Sequence, residues 1–212
     1  MPHPYATDSN ERKNVTVFLA LLATAGAVII SRLLSAFSIS IPNWAEGPSI
    51  LFVFGILYAA FKRYIWKAKL LHKLGVFRTP VLSGRWTGFV VSSHDGHKER
   101  REVTAEISQD WTDIVVKVRG RDSHSYSVTT TLLTGDEKLL TYEYQNEPHV
   151  NAPETMHSHR GQARLAISED INEMDGDYYS GRDRQNYGLL HLNRIRFNKP
   201  QIVKDSPQKS PQ

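Results

Sequence analysis

Leu82-Ser83-Gly84-Arg85-Trp86-Thr87-Gly88-Phe89-Val90-Val91-Ser92 is where the chain changes period. Upstream lie two apolar runs, Val15–Ile30 and Ser49–Phe61. Downstream, apolar residues recur at alternate positions: Val103, Ala105 and Ile107, then Ile114, Val116 and Val118. Alternation of this kind marks strands with one dry and one wet face. The Gly84-Arg85-Trp86 opening has a mechanical reading in a small barrel. Gly84 permits a sharp entry into the strand, and Trp86 plugs the narrow end. A basic residue of the last strand, Arg194 or Arg196, is available to cover the indole by cation–π contact.

Eight candidate strands follow: Ser83–Ser92, Glu102–Ser108, Trp111–Val118, Ser125–Leu132, Lys138–Tyr144, Gln162–Ile167, Gly176–Gly181 and Tyr187–Phe197. Between them stand turn signals such as His94-Asp95-Gly96, Gly120-Arg121-Asp122 and Thr134-Gly135-Asp136. Short consecutive strands joined by hairpins predict an up-and-down meander. Eight suffice to close a barrel and so remove exposed edges. Positions read as inward, among them Tyr126, Thr130 and Tyr142, are mixed rather than uniformly apolar.

The apolar runs place this barrel on a stalk. Crossing a bilayer core takes roughly 20 apolar helical residues. The first run reaches that length by including Ser31–Phe37. The second reaches it by borrowing Tyr64, Ile65 and Trp66 across Lys62 and Arg63, where basic chains snorkel and Trp and Tyr favour the interface. Arg12 and Lys13 precede the first run, and Lys62, Arg63, Lys67, Lys69 and Lys73 follow the second. The positive-inside rule then predicts a multi-pass protein with both termini and the barrel cytoplasmic and the loop Ser40–Gly47 outside. A signal peptide over residues 12–25 and a buried soluble hairpin are the competing readings. The continuing run Val28-Ile29-Ile30 opposes the first, and the lack of a polar stripe opposes the second. The division is a polar, loose start at residues 1–14, a two-helix region at 15–66, a basic amphipathic linker at 67–81, the barrel at 82–197 and a disordered tail at 198–212. In the linker, Leu70, Leu71, Leu74 and Phe77 are apolar and the lysines suit an anionic leaflet.

The 212 residues contain no cysteine, which excludes thiol catalysis, disulfides and Cys-based metal sites. No P-loop, dinucleotide fingerprint, metalloprotease helix or nucleophile elbow occurs, and carboxylates are scattered, so no enzymatic activity is expected. His157 and His159 alternate as metal ligands on a strand would, but a third ligand is not evident, and no metal or other cofactor is predicted. The richest cluster is Tyr178, Tyr179, Arg182, Arg184 and Tyr187 around the last hairpin, with Arg160 entering from the strand before. Tyrosine faces stack nucleobases and arginine forks bind phosphates, so these six are the candidate ligand residues. An exposed turn with ordinary tyrosines and solvated charges is the plainer alternative.

Two N-terminal spans, a basic juxtamembrane stretch, Leu82–Gly88, His159-Arg160-Gly161-Gln162-Ala163-Arg164-Leu165 and the closing Tyr178–Gly188–Leu192 pattern together resemble one family. It is the two-transmembrane β-barrel effector of bacterial CBASS anti-phage signalling, also described as the SMODS-associating β-strand-rich effector. The likeness extends from about Val15 to Phe197. The resemblance implies two transmembrane α-helices in the bacterial inner membrane, followed by an all-β, eight-stranded, lipocalin-like barrel. It further implies that a nucleotidyltransferase makes a cyclic dinucleotide, which the cytosolic barrel binds. Ligand-induced homo-oligomers then disrupt the inner membrane, and the infected cell dies before phage are released. The partners so implied are the messenger and membrane lipids, not DNA or RNA polymers. The family carries no ligand-contact motif onto named positions here, so the six site residues rest on chemistry alone. A membrane-tethered lipocalin-like carrier of an apolar ligand and a structural membrane adaptor are the other functions weighed.

Overall fold

The computed structural model describes residues 1–38, 43–154, 156–182 and 184–195, with residues 43–48 described by backbone alone. Two long helices, α1 (Glu11–Ala36) and α2 (Asn43–Arg63), pack side by side, Val53 lying against Gly26. Only Val15, Leu19 and Ala23 of α1 are buried, while Phe18, Leu21, Ile29, Leu51 and Phe52 are more than half exposed. A pair this apolar on its outer surface has the length and composition to cross a bilayer. A short 3-10 turn (Ile65–Lys67) and α3 (Lys69–Lys73) follow.

Two brief N-terminal strands, β1 (His3–Pro4) and β2 (Ala6–Thr7), accompany eight longer ones. These are β3 (Gly84–Ser92), β4 (Arg101–Gln109), β5 (Asp113–Arg119), β6 (Ser123–Thr134), β7 (Lys138–Pro148), β8 (His159–Ile167), β9 (Glu173–Ser180) and β10 (Tyr187–Arg194). Each of the eight is antiparallel to its sequence neighbours, and β10 returns to β3 with Leu192 opposite Gly88, so the meander closes into a barrel. Alternation sends Trp86, Ile107, Ile114, Leu132, Leu140, Leu165, Met174 and Leu192 into one fully buried core. Several predicted strands lengthen in the structure, notably β6, β7 and β8. Arg196, Phe197, the tail 198–212 and part of the loop Ser40–Gly47 lie outside the described residues.

In the barrel wall two expectations fail, each for a local reason. The start of the chain is not loose: β1 pairs with β5, β2 runs parallel to β6, and Tyr5 between them is buried in the barrel core. This strap fills a seam, because β5 and β6 pair only at Lys117–Arg119 against His124–Tyr126 and diverge below. His3 shares a 2.8 Å hydrogen bond with Ser127 Oγ, which also accepts from Val116 N at 3.0 Å. Asp8 then receives the Thr134 hydroxyl at 2.8 Å. The second failure is Tyr126, which faces out and donates to Glu147 at 3.1 Å. A bulge between Ser127 and Thr129 shifts the phase, so Ser125 and Ser127 point in before it and Thr130 after it.

The barrel's closed end meets the stalk. Trp86 is fully buried, with its Nε1 donating to Leu82 O at 3.1 Å. Arg194 Cζ lies 5.1 Å from the indole centroid, and its Nη2 donates to Val81 O (2.8 Å) and Ser83 O (2.7 Å). The tight entry occurs at Gly84, whose φ of +141° strains any other residue. Beneath this plug, Phe61, Trp66, Phe77 and Trp111 form an aromatic knot joining α2, the linker and the β4–β5 turn. Trp66, read from sequence as an interface residue, is therefore fully buried. Lys62 pairs with Asp113 at 2.6 Å and Asp110 at 3.4 Å. Glu11 accepts from Arg78 N (2.5 Å) and Thr79 Oγ1 (2.7 Å), so the start of α1 and the chain leaving α2 meet on the same, barrel-facing side.

Candidate ligand-binding cavity

The end of the barrel away from the helices is open. A cavity of about 780 Å³ enters there, within the range that holds drug-sized ligands. Its wall is made where inward positions become small or polar: Ser92 of β3, Arg101 of β4, Ser123 and Ser125 of β6, Asn146 of β7, His159 of β8 and Ser180 of β9. Val103, Val118, Tyr142, Tyr144, Tyr178 and Leu190 line it more deeply or along its sides. Pro153 and Met156 from the long β7–β8 connection, Arg184 and Asn186 from the β9–β10 connection, and Glu99, Arg100, Arg121 and Asp122 from the β3–β4 and β5–β6 connections form the rim.

Period two divides the six residues proposed from sequence. Tyr178 and Arg184 line the cavity. Tyr179, one step along β9, is half exposed on the outer face, where its hydroxyl bonds Gln162. Arg160 also faces out, its Nε donating to Gln145 Oε1 at 3.3 Å. With Tyr179 it borders a shallow outer hollow of about 360 Å³. Tyr187 is exposed with its ring 5.5 Å from that of His97, and Arg182 is exposed on the turn. The structure therefore brings together two of the six and places the other four outside the cavity wall. Gly84, Trp86 and Arg194 stand together at the opposite end, as the plug described above.

Arg184 is held toward the mouth by Met156 Sδ and by the Asn186 amide, which, oriented by its hydrogen bonds, accepts from Arg184 Nε at 3.0 Å. Arg101 enters the rim from β4, two strands along the wall from β10, paired with Asp95 at 3.1 Å and with Glu99 at 3.7 Å. Burial pushes the Tyr144 hydroxyl up to about 12 and raises that of Tyr142 as well, so both stay protonated donors at neutral pH. Tyr144 crosses over Gly161, where an added Cβ would lie 2.3 Å from its hydroxyl, so the glycine makes room for the ring. Among the described residues, no cluster of three or more His, Asp or Glu could hold a metal. His159 instead lines the cavity, its Nδ1 2.9 Å from His157 O.

Arg101, Tyr144, Asn146, His159 and Ser180 were not among the ligand candidates from sequence. Their shared signal was available in the alternation, since each continues an inward series from the core: Ile107 to Arg101, Leu140 to Asn146, Ile167 to His159 and Met174 to Ser180.

Residues 77–194 match the family described as Cap15, cyclic dinucleotide receptor domain. A curated relative from Yersinia aleksiciae named CD-NTase-associated protein 15 is 31% identical over 146 residues, covering 66% of each chain. A protein of the same name from Staphylococcus schleiferi is 25% identical over 138 residues, 64% of this chain and 71% of the other. The chain thus spans about two thirds of the length of the curated relatives it matches.

Proposed function

The chain belongs to the Cap15 cyclic dinucleotide receptor family, and from that premise we propose that its open cavity is the receptor site of a membrane effector in bacterial anti-phage defence. The observation that carries this is the pairing of Tyr178 with Arg184 at one mouth, inside the matched domain. A cyclic dinucleotide offers two base faces and two phosphates. Tyrosine rings supply stacking surfaces, arginine supplies charge-assisted donors, and the ring of serines supplies short hydrogen bonds. The same polar lining disfavours an apolar cargo.

The mouth opens to the cytosol in this reading. Basic residues flank the helix ends nearest the barrel, and the beginning of α1 and the end of α2 both lie on that side. Occupancy favours a homo-oligomer, in which the helix pairs gather and breach the inner membrane, killing the infected cell. The ligand must bind the assembled form more tightly than the monomer for this to happen.

The test is a thermal titration of the purified full chain in nanodiscs with cyclic dinucleotides of different base pairs, alongside dye release from liposomes. Stabilisation by one of them, followed by ligand-dependent release, supports the reading. No stabilisation by any cyclic dinucleotide removes the receptor assignment, and stabilisation without release removes the membrane-breaching step.

A further inference from the structure

The linker between α2 and the barrel takes no part in the cavity, yet its side chains are sorted onto two faces. From Lys62 to Arg78 the sequence contains six Lys or Arg residues and no Asp or Glu. Trp66 and Phe77 turn inward to the aromatic knot, and His72 Nε2 lies 2.8 Å from Trp66 O, folding α3 back toward the end of α2. Outward stand Ile65 (44% exposed), Val76 (51%), Leu70 (65%) and Leu74 (67%). Arg63, Lys69 and Lys73 are exposed among them. Lys62, engaged by Asp110 and Asp113, and Lys67, half-buried with its ammonium 5.6 Å from the Trp66 ring centroid, are the exceptions.

Four large apolar side chains presented to water beside the end of a helix pair need a cover. Position supplies it, because the second candidate span ends at Lys67, inside this same segment. Apolar side chains interleaved with lysines are the composition of elements that lie in the headgroup layer. The absence of acidic residues selects an anionic surface.

We propose that Ile65–Val76 is an interfacial collar that binds anionic phospholipid, with Leu70 and Leu74 at the acyl boundary and Lys69 and Lys73 on headgroup phosphates. The collar holds the closed end of the barrel against the leaflet and turns the cavity mouth away from it. This inference rests on reading α1 and α2 as membrane spans.

Because the chain has no cysteine, single-cysteine variants carry one spin label each. Full-length Leu74→Cys, Val28→Cys and Val128→Cys are labelled with nitroxide in nanodiscs of phosphatidylcholine with or without phosphatidylglycerol. Collision with oxygen reports lipid, and collision with a water-soluble nickel chelate reports solvent. The label at Val28, mid-α1, should report lipid, and that at Val128, exposed on the barrel, should report water. At Leu74 the label should report a shallow lipid position that deepens with phosphatidylglycerol. Adding Lys69→Gln and Lys73→Gln should lower the ratio of lipid-buried to water-exposed label about fivefold per lysine. Lipid contact at Val28 with a Val128-like profile at Leu74 overturns the collar alone. Lipid contact at Leu74 indifferent to phosphatidylglycerol and to both lysines overturns the anionic preference. A water profile at Val28 overturns the spans, and the collar with them.

Discussion

Arg184→Ala isolates the proposed receptor chemistry, because Arg184 lines the mouth without belonging to the packed core. A hydrogen bond from arginine to a phosphate is worth about 1.5–3 kcal/mol, so losing it should raise Kd about 10- to 150-fold. With wild type at a ligand concentration 100 times its Kd, binding stabilises the fold by about 2.7 kcal/mol. If Kd rises about thirtyfold, the same ligand concentration is only about three times Kd, and the gain falls to about 0.8 kcal/mol. For a chain of this size each kcal/mol moves Tm by about 2–4 °C, so a shift of about 8 °C should shrink to about 2–3 °C. Scanning fluorimetry in nanodiscs measures this, and calorimetric titration supplies the two Kd values. Arg160→Ala is the paired control: its guanidinium bonds Gln145 on the outer face, so the full shift should persist. A full shift in Arg184→Ala together with a lost one in Arg160→Ala would move the ligand from the cavity to the outside of the barrel. That result would refute the inside–outside reasoning.

Trp86→Ala removes the fully buried plug and leaves Arg194 facing a void, so it should cost about 3–5 kcal/mol, read as a fall in denaturant midpoint. Tyr5→Ala should cost about 3 kcal/mol and speed amide exchange at Val115 and Val116, because Tyr5 N and its hydroxyl bond the Thr112 and Trp111 carbonyls. Unchanged exchange there would mean that the strap does not close the wall. Asp113 is hydrogen-bonded by Lys62 and Thr112, which lowers its pKa below the usual carboxylate value. Its folded-state pKa being depressed, its contribution is present above the unfolded value and is lost as pH falls through the folded one. The stability difference between wild type and Asp113→Asn should therefore be constant near neutrality and vanish only in acid below the usual carboxylate range. A difference that grows on acidification contradicts the ion pair.

The barrel was legible because its strands carry a strict period and its turns carry Gly and Asp at the places where hairpins need them. The strap was not, since a two-residue strand has no period. Tyr5, a lone large side chain between Pro4 and Ala6 in a short segment without period, gives no sign that it enters a core. The phase error at Tyr126 has the same origin: Ser127-Val128-Thr129 has no glycine or other mark of a bulge, and one extra residue reverses every face beyond it. Within the site, adjacency misled where alternation was informative. Tyr178 and Tyr179 cannot both face inward on a regular strand, whereas Gly176, Tyr178 and Ser180 do share a face. Arg101 was hidden because it ends a charged loop, Lys98-Glu99-Arg100, and its place as the first inward residue of β4 depends on where that strand begins.

Side-chain size along the strands explains why the cavity lies where it does. An eight-stranded barrel has an interior only wide enough to be filled by its own side chains or to hold one small ligand. At the stalk end Trp86, Ile107, Met174 and Leu192 fill it. Toward the other end the inward series run down to Ser92, Ser123, Ser125, Ser180 and Gly188, and space appears. A ligand in that space would have the packed core between it and the helices, and the wall offers a second route to the stalk. The wall is not uniform. Between β5 and β6 three residue pairs hold the upper part, including Val118 with Ser125, both of which line the cavity. Below them the strap takes over, and the chain passes from Thr7 at its end to Glu11 at the start of α1. The seam with the fewest direct strand pairs therefore touches the cavity at one end and leads into the first candidate span at the other. A rigid barrel with its N-terminus free in solvent would offer no such path.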